Sequence, residues 1–309
     1  MAKSSEWVSN SQAQNHKLIE RFIKPYRITS GKNFRLKSID PRDTGGLNSE
    51  DKPQAKELLE QGVDWLAEQQ EMLYAQDHWA VLLVFQAMDA AGKDGTIKHV
   101  TSGINPQGCT VTSYKQPSSE ELDHDYLWRY MRNVPARGQI GIFNRSYYEE
   151  VLVVKVHEDL LARQKLHPSL VTRKIWSDRY EDIRNYEQYL VRNGIIVLKF
   201  FLHVSKAEQK RRFMERLDNP EKNWKFSAGD VAEREHWSRY QAAYEEAIRH
   251  TASKHAPWYV VPADNKWFTR LVVAAAVVDA IYELELHYPV VSADKRKSLA
   301  AARAKLEAE

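Results

Sequence analysis

The 309-residue chain lacks most of what would place a protein outside the cell or across a membrane. It has a single cysteine, Cys109, which rules out an internal disulfide framework and fits a reducing compartment. No apolar run reaches the roughly 18 residues of a membrane span. The first residues, Met-Ala-Lys-Ser-Ser-Glu-Trp, carry no apolar signal core. The expected location is therefore cytoplasmic, with no membrane partner. Charge of one sign is also scarce, since 45 basic and 42 acidic side chains leave a net charge of only +3. An anionic partner must then be met by local concentrations of charge rather than by a polycationic surface. Internal repeats are missing and the 11 prolines are scattered. A hydrophobic share of 43% fits a folded chain, long enough for one large α/β domain or two small ones.

What is present centres on Val81-Leu-Leu-Val-Phe-Gln-Ala-Met-Asp-Ala-Ala-Gly-Lys-Asp-Gly-Thr96. Val81 to Phe85 is an apolar run of strand length without polar alternation, as in a strand buried on both faces. A loop with Gly92, Lys93 and Gly95 follows, and Thr96-Ile-Lys-His-Val continues as a helix. That order is the order of a phosphate-binding loop, Ala90 to Thr96. There, backbone N–H groups and a helix N-terminus attract an anion while a lysine reaches the outer phosphates. The strict pattern G-x-x-x-x-G-K-[ST] fails twice. Ala87 stands at the first glycine, and Asp94 stands where a Mg²⁺-binding hydroxyl belongs.

Around this stretch, strands and helices alternate. Helical spacing of Leu59, Val63, Leu66 and Leu73 predicts a helix over 54–76. Strands are expected at 81–85, 109–113, 140–143, 195–204 and 258–261. A capping box, Ser118 with Glu121, opens a helix to about 133, and a second, Ser205 with Glu208, opens one to about 217. Further helices are expected over 169–192, 231–253 and, capped by Asp264, to about 287. Such alternation predicts a three-layer α/β/α phosphate-loop fold with a parallel five-stranded sheet. Its ligands would sit beyond the carboxyl ends of the strands. Residues 1–53 read as an extension packed on the domain of 54–289, with a helical lid at about 206–235. A polar tail over 290–309 completes the chain.

Several side chains carry chemistry in this frame. Asp89 lies inside the loop, where a carboxylate would be repelled by phosphate unless Mg²⁺ stood between them. Asn144-Arg145 follows a strand. This is where a metal-organising carboxylate is usual, and arginine suits a bidentate phosphate clamp. Taken alone, an Asn-Arg pair there is equally an ordinary turn. Glu149 and Glu150 are adjacent, so at most one faces the site. Gln209-Lys-Arg-Arg-Phe-Met-Glu-Arg216 puts Arg212 and Arg216 on one helix face beside Arg211. By itself this cluster is equally a solvated face; beside a phosphate loop it suggests a basic lid that excludes water.

Together these blocks resemble the family-2 polyphosphate kinases, enzymes that move phosphoryl groups between inorganic polyphosphate and nucleotides. The likeness runs from about Phe34 to Leu286. It rests on Met88-Asp-Ala-Ala-Gly-Lys-Asp-Gly-Thr96, Asn105-Pro-Gln-Gly108, Leu122-Asp-His-Asp-Tyr-Leu-Trp-Arg129 and Pro135-Ala-Arg-Gly138. Phe143-Asn-Arg-Ser-Tyr-Tyr-Glu149, Asp218-Asn-Pro-Glu-Lys-Asn-Trp-Lys-Phe-Ser227 and His255-Ala-Pro-Trp-Tyr259 extend it. The resemblance implies that Asp89 and Lys93 are the catalytic pair and that Arg145 contacts phosphate. It puts Arg211, Arg212, Lys222 and Lys225 in the lid and its approach for polyphosphate, and Lys115, Arg129 and Arg145 on the nucleotide. Asn144 replaces the aspartate of many members, as in the subgroup that accepts both AMP and ADP. Charge balance then suggests that Glu149 supplies the missing negative charge and holds Mg²⁺ with Asp89, with Mn²⁺ as a substitute.

The implied reaction is reversible transfer from polyphosphate to AMP and ADP, with guanine nucleotides as further acceptors. The enzyme is expected to be a homo-oligomer, dimer or tetramer, with residues 1–30 and the Ala-rich tail available for subunit contacts. An ATP-dependent nucleotide kinase would share the sheet, loop and lid. A non-catalytic nucleotide or nucleic-acid binder would use the nine tryptophans for stacking, but the aromatics fall largely at helical core spacing. No nucleic-acid partner is therefore expected.

Overall fold

The computed structural model describes residue 17 and residues 19–309. Six strands, β1 (Arg27–Ile28), β2 (Ala80–Ala87), β3 (Cys109–Ser113), β4 (Ile140–Asn144), β5 (Ile195–His203) and β6 (Trp258–Pro262), form one sheet. Their order is β1-β6-β5-β2-β4-β3. All pairings from β3 through to β6 are parallel. The expected five-stranded parallel sheet is thus corrected to a six-stranded mixed one. Arg27 and Ile28 pair antiparallel with Tyr259 and Trp258 at the free edge of β6. Two residues show no period-2 pattern, and only the distant edge makes them a strand.

Val81 to Phe85 is buried on both faces because β4 and β5 flank it and helices cover both sides. The long helices are α1 (Lys52–Gln76), α2 (Lys93–Val100), α3 (Ile175–Arg192), α4 (Lys206–Asp218), α5 (Trp237–Thr251), α6 (Lys266–Tyr282) and α7 (Ala293–Leu306). α1 and α2 pack with α6, while α3 packs with α5 and β5. The chain leaves β2 toward β3 and β4 and later returns to β5 and β6 on the other side. This opens a crevice at the carboxyl end of β2.

Residues 19–53 are more than a covering. Ile23, Tyr26, Phe34, Leu36 and Ile39 are core residues, and the Tyr26 hydroxyl donates to Asp43 at 2.8 Å. Residues 1–16, part of the stretch expected to serve subunit contacts, lie outside the described residues. The tail forms the exposed helix α7. No helix among the described residues is long and apolar enough to cross a membrane.

Three expected helices differ. The one from 118 has its capping box but divides into Ser119–Leu122 and Trp128–Met131. Asp125 interrupts it by accepting from the Leu127 N–H at 2.9 Å, the local turn that aspartate favours. The helix expected from 169 starts at Ile175, behind a 3₁₀ turn at Pro168–Leu170. That expected from 231 begins as Ala228–Glu233 and reaches α5 through a 3₁₀ turn at Arg234–His236. Asp264 does not cap α6. Its carboxylate accepts from the Ser205 N–H and hydroxyl at 2.8 and 2.7 Å, tying the start of α4 to the end of β6. The second capping box is one-sided, because Glu208 turns away to Arg211 and Arg212.

His203, at the end of β5, is 6% exposed, and burial pushes its pKa down to about 4. The unfolded chain takes up this proton near the ordinary pKa of about 6.5, so folded stability falls as pH drops from there toward 4. The expected slope is about 1.4 kcal/mol per pH unit for this one proton. Urea melts between pH 7 and 4 of the wild type and of His203→Gln check it; equal slopes would remove the histidine as the cause.

Candidate active site

The loop after β2 reaches its shape through backbone that glycine favours. Ala87 is still in β2, in extended backbone, so its methyl meets no left-handed penalty and the missing first glycine is accommodated. The left-handed residues come later, Ala90 at φ 60° and Gly92 at φ 107°, the latter as N-cap of α2. An alanine there costs roughly 1–2 kcal/mol and persists only where neighbours enforce it. Arg212 is the neighbour. Its Nη1 donates to the carbonyls of Ala90 and Ala91 at 3.0 and 2.7 Å, and its Nη2 to those of Ala263 and Asp264 at 2.6 and 3.1 Å. Its Nε donates to Glu208 at 2.7 Å. The Gln209 side chain adds a 2.8 Å bond to the Asp89 carbonyl. Helix α4 therefore grips the loop from behind.

Lys93 opens α2 and donates to the Ala87 carbonyl at 3.0 Å. Burial pushes its pKa down, as does the nearby Arg145, against the pull of Asp89, Glu149 and Asp94. A cation so placed gains most from an arriving anion. Asp94 does not point away from the crevice, since Asn144 Nδ2 donates to its Oδ1 at 2.8 Å. The two departures from the ordinary loop and strand-end pattern thus contact each other.

Arg145 is the hub. It follows β4 at φ 65°, and its N–H donates to the Phe85 carbonyl at 3.0 Å, which turns the side chain into the crevice. Nη2 lies 3.1 Å from Asp89 and Nη1 3.5 Å from Glu149. Glu149 first, then Asp89, raise the Arg145 pKa against the burial that opposes them. Glu149 also accepts from Gln86 at 2.8 Å. Glu150 is turned to Arg179 and Gln164, and burial raises its pKa. Of the adjacent pair, Glu149 faces Arg145, but both line the smaller cavity, because the 3₁₀ turn at Tyr147–Val151 is tighter than the α-helix assumed for them.

Two cavities open on this hub, of about 810 and 390 Å³. The larger lies over the loop and is basic: Lys93, Arg216, Lys222, Lys225, Lys266 and Arg270 line it. The smaller has an apolar wall of Leu122, Val153, Val154 and Leu160, with Arg129 and Glu149 also lining it. Asp89, Lys115, Gln116, Arg145 and Asp230 belong to both. Arg129 is 6% exposed, its Nη2 bonded to the Lys115 carbonyl at 2.9 Å and its Nη1 3.4 Å from Glu121. Its Nε has no partner among the described residues.

The lid residues separate. Lys222 and Lys225 line the larger cavity, Lys222 paired with Glu215 at 2.5 Å and Lys225 lying over the Trp224 ring. Arg211 is outside it, exposed and paired with Glu208 and Glu215. Three contributors escaped the sequence reading. Asp230 lies in the lid segment without a motif to mark it, yet it faces Arg216 at 3.8 Å, and burial, then Asp89, raise its pKa. Lys266 and Arg270 come from the first turns of α6, where two basic residues four apart, ahead of an apolar Leu-Val-Val-Ala run, were the available signal.

Among the described residues no group of three or more His, Cys, Asp or Glu is arranged to hold a metal. The donor set of Asp89 and Glu149 suits a hard cation that takes one or two carboxylates and fills its shell with phosphate oxygens and water, as Mg²⁺ does.

A sequence model of polyphosphate kinase 2 matches residues 48–288. The chain belongs to the polyphosphate kinase 2 family. It is 51% identical over 258 residues to an ADP-polyphosphate phosphotransferase of Rhodopseudomonas palustris, covering 83% of this chain and 89% of that protein. It is 46% identical over 267 residues to an AMP/ADP-polyphosphate phosphotransferase of Meiothermus ruber, covering 86% and 96%. The crystal structure of polyphosphate kinase 2 from Arthrobacter aurescens superposes with a TM-score of 0.82 at 39% identity, over 92% of this chain and 95% of that one.

Proposed function

We propose that this family member transfers the terminal phosphoryl group of inorganic polyphosphate to AMP and to ADP, giving ADP and ATP reversibly. The observation that carries the reading is the pair of cavities meeting at Asp89 and Arg145. The basic cavity over the loop suits a long polyanion. The smaller one, apolar on one wall and cationic at Lys115, Arg129 and Arg145, suits a nucleotide with its phosphates turned to the junction. Names of similar proteins supply the substrate classes, since they are called ADP- and AMP/ADP-polyphosphate phosphotransferases.

The residues then divide the work. Lys93 and the α2 N-terminus hold the transferred phosphoryl group, and Arg145 spans donor and acceptor phosphates in line. An acceptor phosphate is already ionised near neutral pH, so no strong general base is required. Asp89 orients the acceptor side through Arg145. Lys222, Lys225 and Arg216 close over the donor and exclude water. Mg²⁺, which Asp89 and Glu149 would hold, would supply charge neutralisation on the phosphates when bound. Guanine nucleotides as further acceptors, a cytoplasmic location and a homo-oligomeric state belong to the same proposal.

The test is a time course of AMP with polyphosphate and Mg²⁺ and no other donor. ADP should appear first and ATP after it. ATP from added ADP alone would restrict the acceptor to diphosphates. Turnover only when ATP is supplied as donor would overturn the reading in favour of an ordinary nucleotide kinase.

A further inference from the structure

Behind the crevice, where no substrate reaches, lies a fully buried ion pair that the transfer chemistry does not use. Lys199 in β5 and Glu187 in α3 are both 0% exposed, with Lys199 Nζ 2.6 Å from Glu187 Oε2. Lys199 Nζ also donates to the Thr251 carbonyl at 2.9 Å and contacts the Tyr148 hydroxyl at 3.2 Å. Glu187 Oε1 accepts from the hydroxyls of Tyr147 and Tyr148 at 3.0 and 2.8 Å. Trp258 in β6 joins through Thr251 Oγ1 at 2.9 Å. Four elements of the body, α3, β5, α5 and β6, thus converge on two tyrosine hydroxyls.

Stability alone is a poor reason for such a network. A buried ion pair seldom does better than an apolar pair of similar size, because both charges must leave water. What it does supply is a single allowed arrangement of whatever it bonds to. Tyr147 and Tyr148 stand directly between Arg145 and Glu149 in the chain. Arg145 sits at φ 65°, a conformation that an L side chain keeps only where its surroundings dictate it. On the upstream side the β4–β2 pairing dictates it, through the Arg145 N–H to Phe85 carbonyl bond. On the downstream side Ser146 Oγ accepts from the Tyr148 N–H at 3.2 Å, and the 3₁₀ turn Tyr147–Val151 hangs on the tyrosines. The turn has its own Glu149 N–H to Ser146 carbonyl bond at 2.9 Å and an Arg179 bond to the Glu150 carbonyl at 2.9 Å; the two hydroxyls are what tie its first residues, next to Arg145, to Glu187 and Lys199.

We propose that Glu187, held by Lys199, is a positioning residue. Through Tyr147 and Tyr148 it fixes the left-handed Arg145 turn, and so sets where the Arg145 and Glu149 side chains meet the reacting phosphates. The inference rests on the assignment of Arg145 and Glu149 to phosphoryl transfer. It adds that the aim of the hub is set on the far side of the sheet.

The test uses the full-length enzyme with ADP and polyphosphate, reading kcat, KM for ADP and the melting temperature together. Tyr147→Phe/Tyr148→Phe keeps the rings and removes only the hydroxyls. It should lower kcat by about 10- to 100-fold, the scale of a small misplacement near the chemistry, with KM for ADP within about twofold. Glu187→Met/Lys199→Met exchanges the pair for an apolar one and should give the same kinetic loss. Glu187→Gln/Lys199→Met returns a neutral acceptor for both hydroxyls and should recover most of kcat. A folded tyrosine double variant with wild-type kcat would overturn the proposal. Equal kcat in the Gln/Met and Met/Met variants would also do so, whatever their melting temperatures. If Met/Met does not fold, the tyrosine pair decides. Absence of turnover by the wild type in this assay would instead overturn the proposed function.

Discussion

Lys93→Ala is expected to lower kcat by about 10²- to 10³-fold or more while the melting temperature stays the same or rises. The two halves of this expectation come from one environment. Lys93 opens α2 and lines the larger cavity, so under the proposed function its ammonium is the charge that meets the transferred phosphoryl group. The same placement makes it costly in the free enzyme, because burial and Arg145 both disfavour its ionised form. The sign follows directly. A lysine whose folded pKa is lowered destabilises the folded state at neutral pH, where the unfolded chain keeps the proton at no cost. Its hydrogen bond to the Ala87 carbonyl is worth about 1 kcal/mol and offsets part of that. Steady-state rates with polyphosphate and ADP, read beside thermal melts, test both halves. Turnover near wild type would remove Lys93 from the chemistry, and a large fall in melting temperature would recast it as structural.

Arg212→Met should cost about 3–5 kcal/mol of stability, because several backbone carbonyls lose their donor together at about 1–3 kcal/mol for each acceptor left unpaired, while Glu208 keeps Arg211. The guanidinium bonds Glu208 and the carbonyls of Ala90, Ala91, Ala263 and Asp264 at once, with only 4% of its side chain exposed. Removing it leaves those acceptors buried and frees the loop whose left-handed Ala90 it holds down. Activity should fall with the loop's order. Arg212→Lys should not rescue, because one ammonium cannot reproduce a fork that spans two loops. The adjacent Arg211→Ala is the control, expected within about 0.5 kcal/mol of wild type because its partners Glu208 and Glu215 meet it at the surface. Urea denaturation midpoints of the three variants decide. Similar losses for Arg211→Ala and Arg212→Met would mean the grip on the loop is not what Arg212 supplies.

That contrast shows how the two kinds of information divide. Reading along the chain, Arg211 and Arg212 are equivalent members of a basic cluster. On α4 they are 100° apart, and that rotation sends one to solvent and the other under the loop. The buried strand at 81–85, the strand–loop–helix order with Lys93 and the alternation of elements were all legible, because they are short-range patterns of hydrophobicity and turn chemistry. So was the family, since ordered motif blocks preserve residue identity over most of the chain. The Ala87 departure could be posed from sequence but only answered by backbone angle, since its residue is extended and the left-handed burden falls on Ala90 and Gly92.

Legible along the chain were a glycine-bearing loop with Lys93, an arginine after β4, carboxylates near both and a basic segment further on. Tertiary structure decided which groups meet. It brought Asp230 from the lid and Arg270 from α6 to the loop, sent Asp94 to Asn144, and added β1 to an edge more than two hundred residues away in the chain. It also set Arg145 between two cavities rather than in one. The physical reason is the range of the interactions. Turn, strand and helix preferences act over a few residues and are written locally. Charge pairing and cavity shape depend on distances through space, which only the folded sheet and its helices bring within reach.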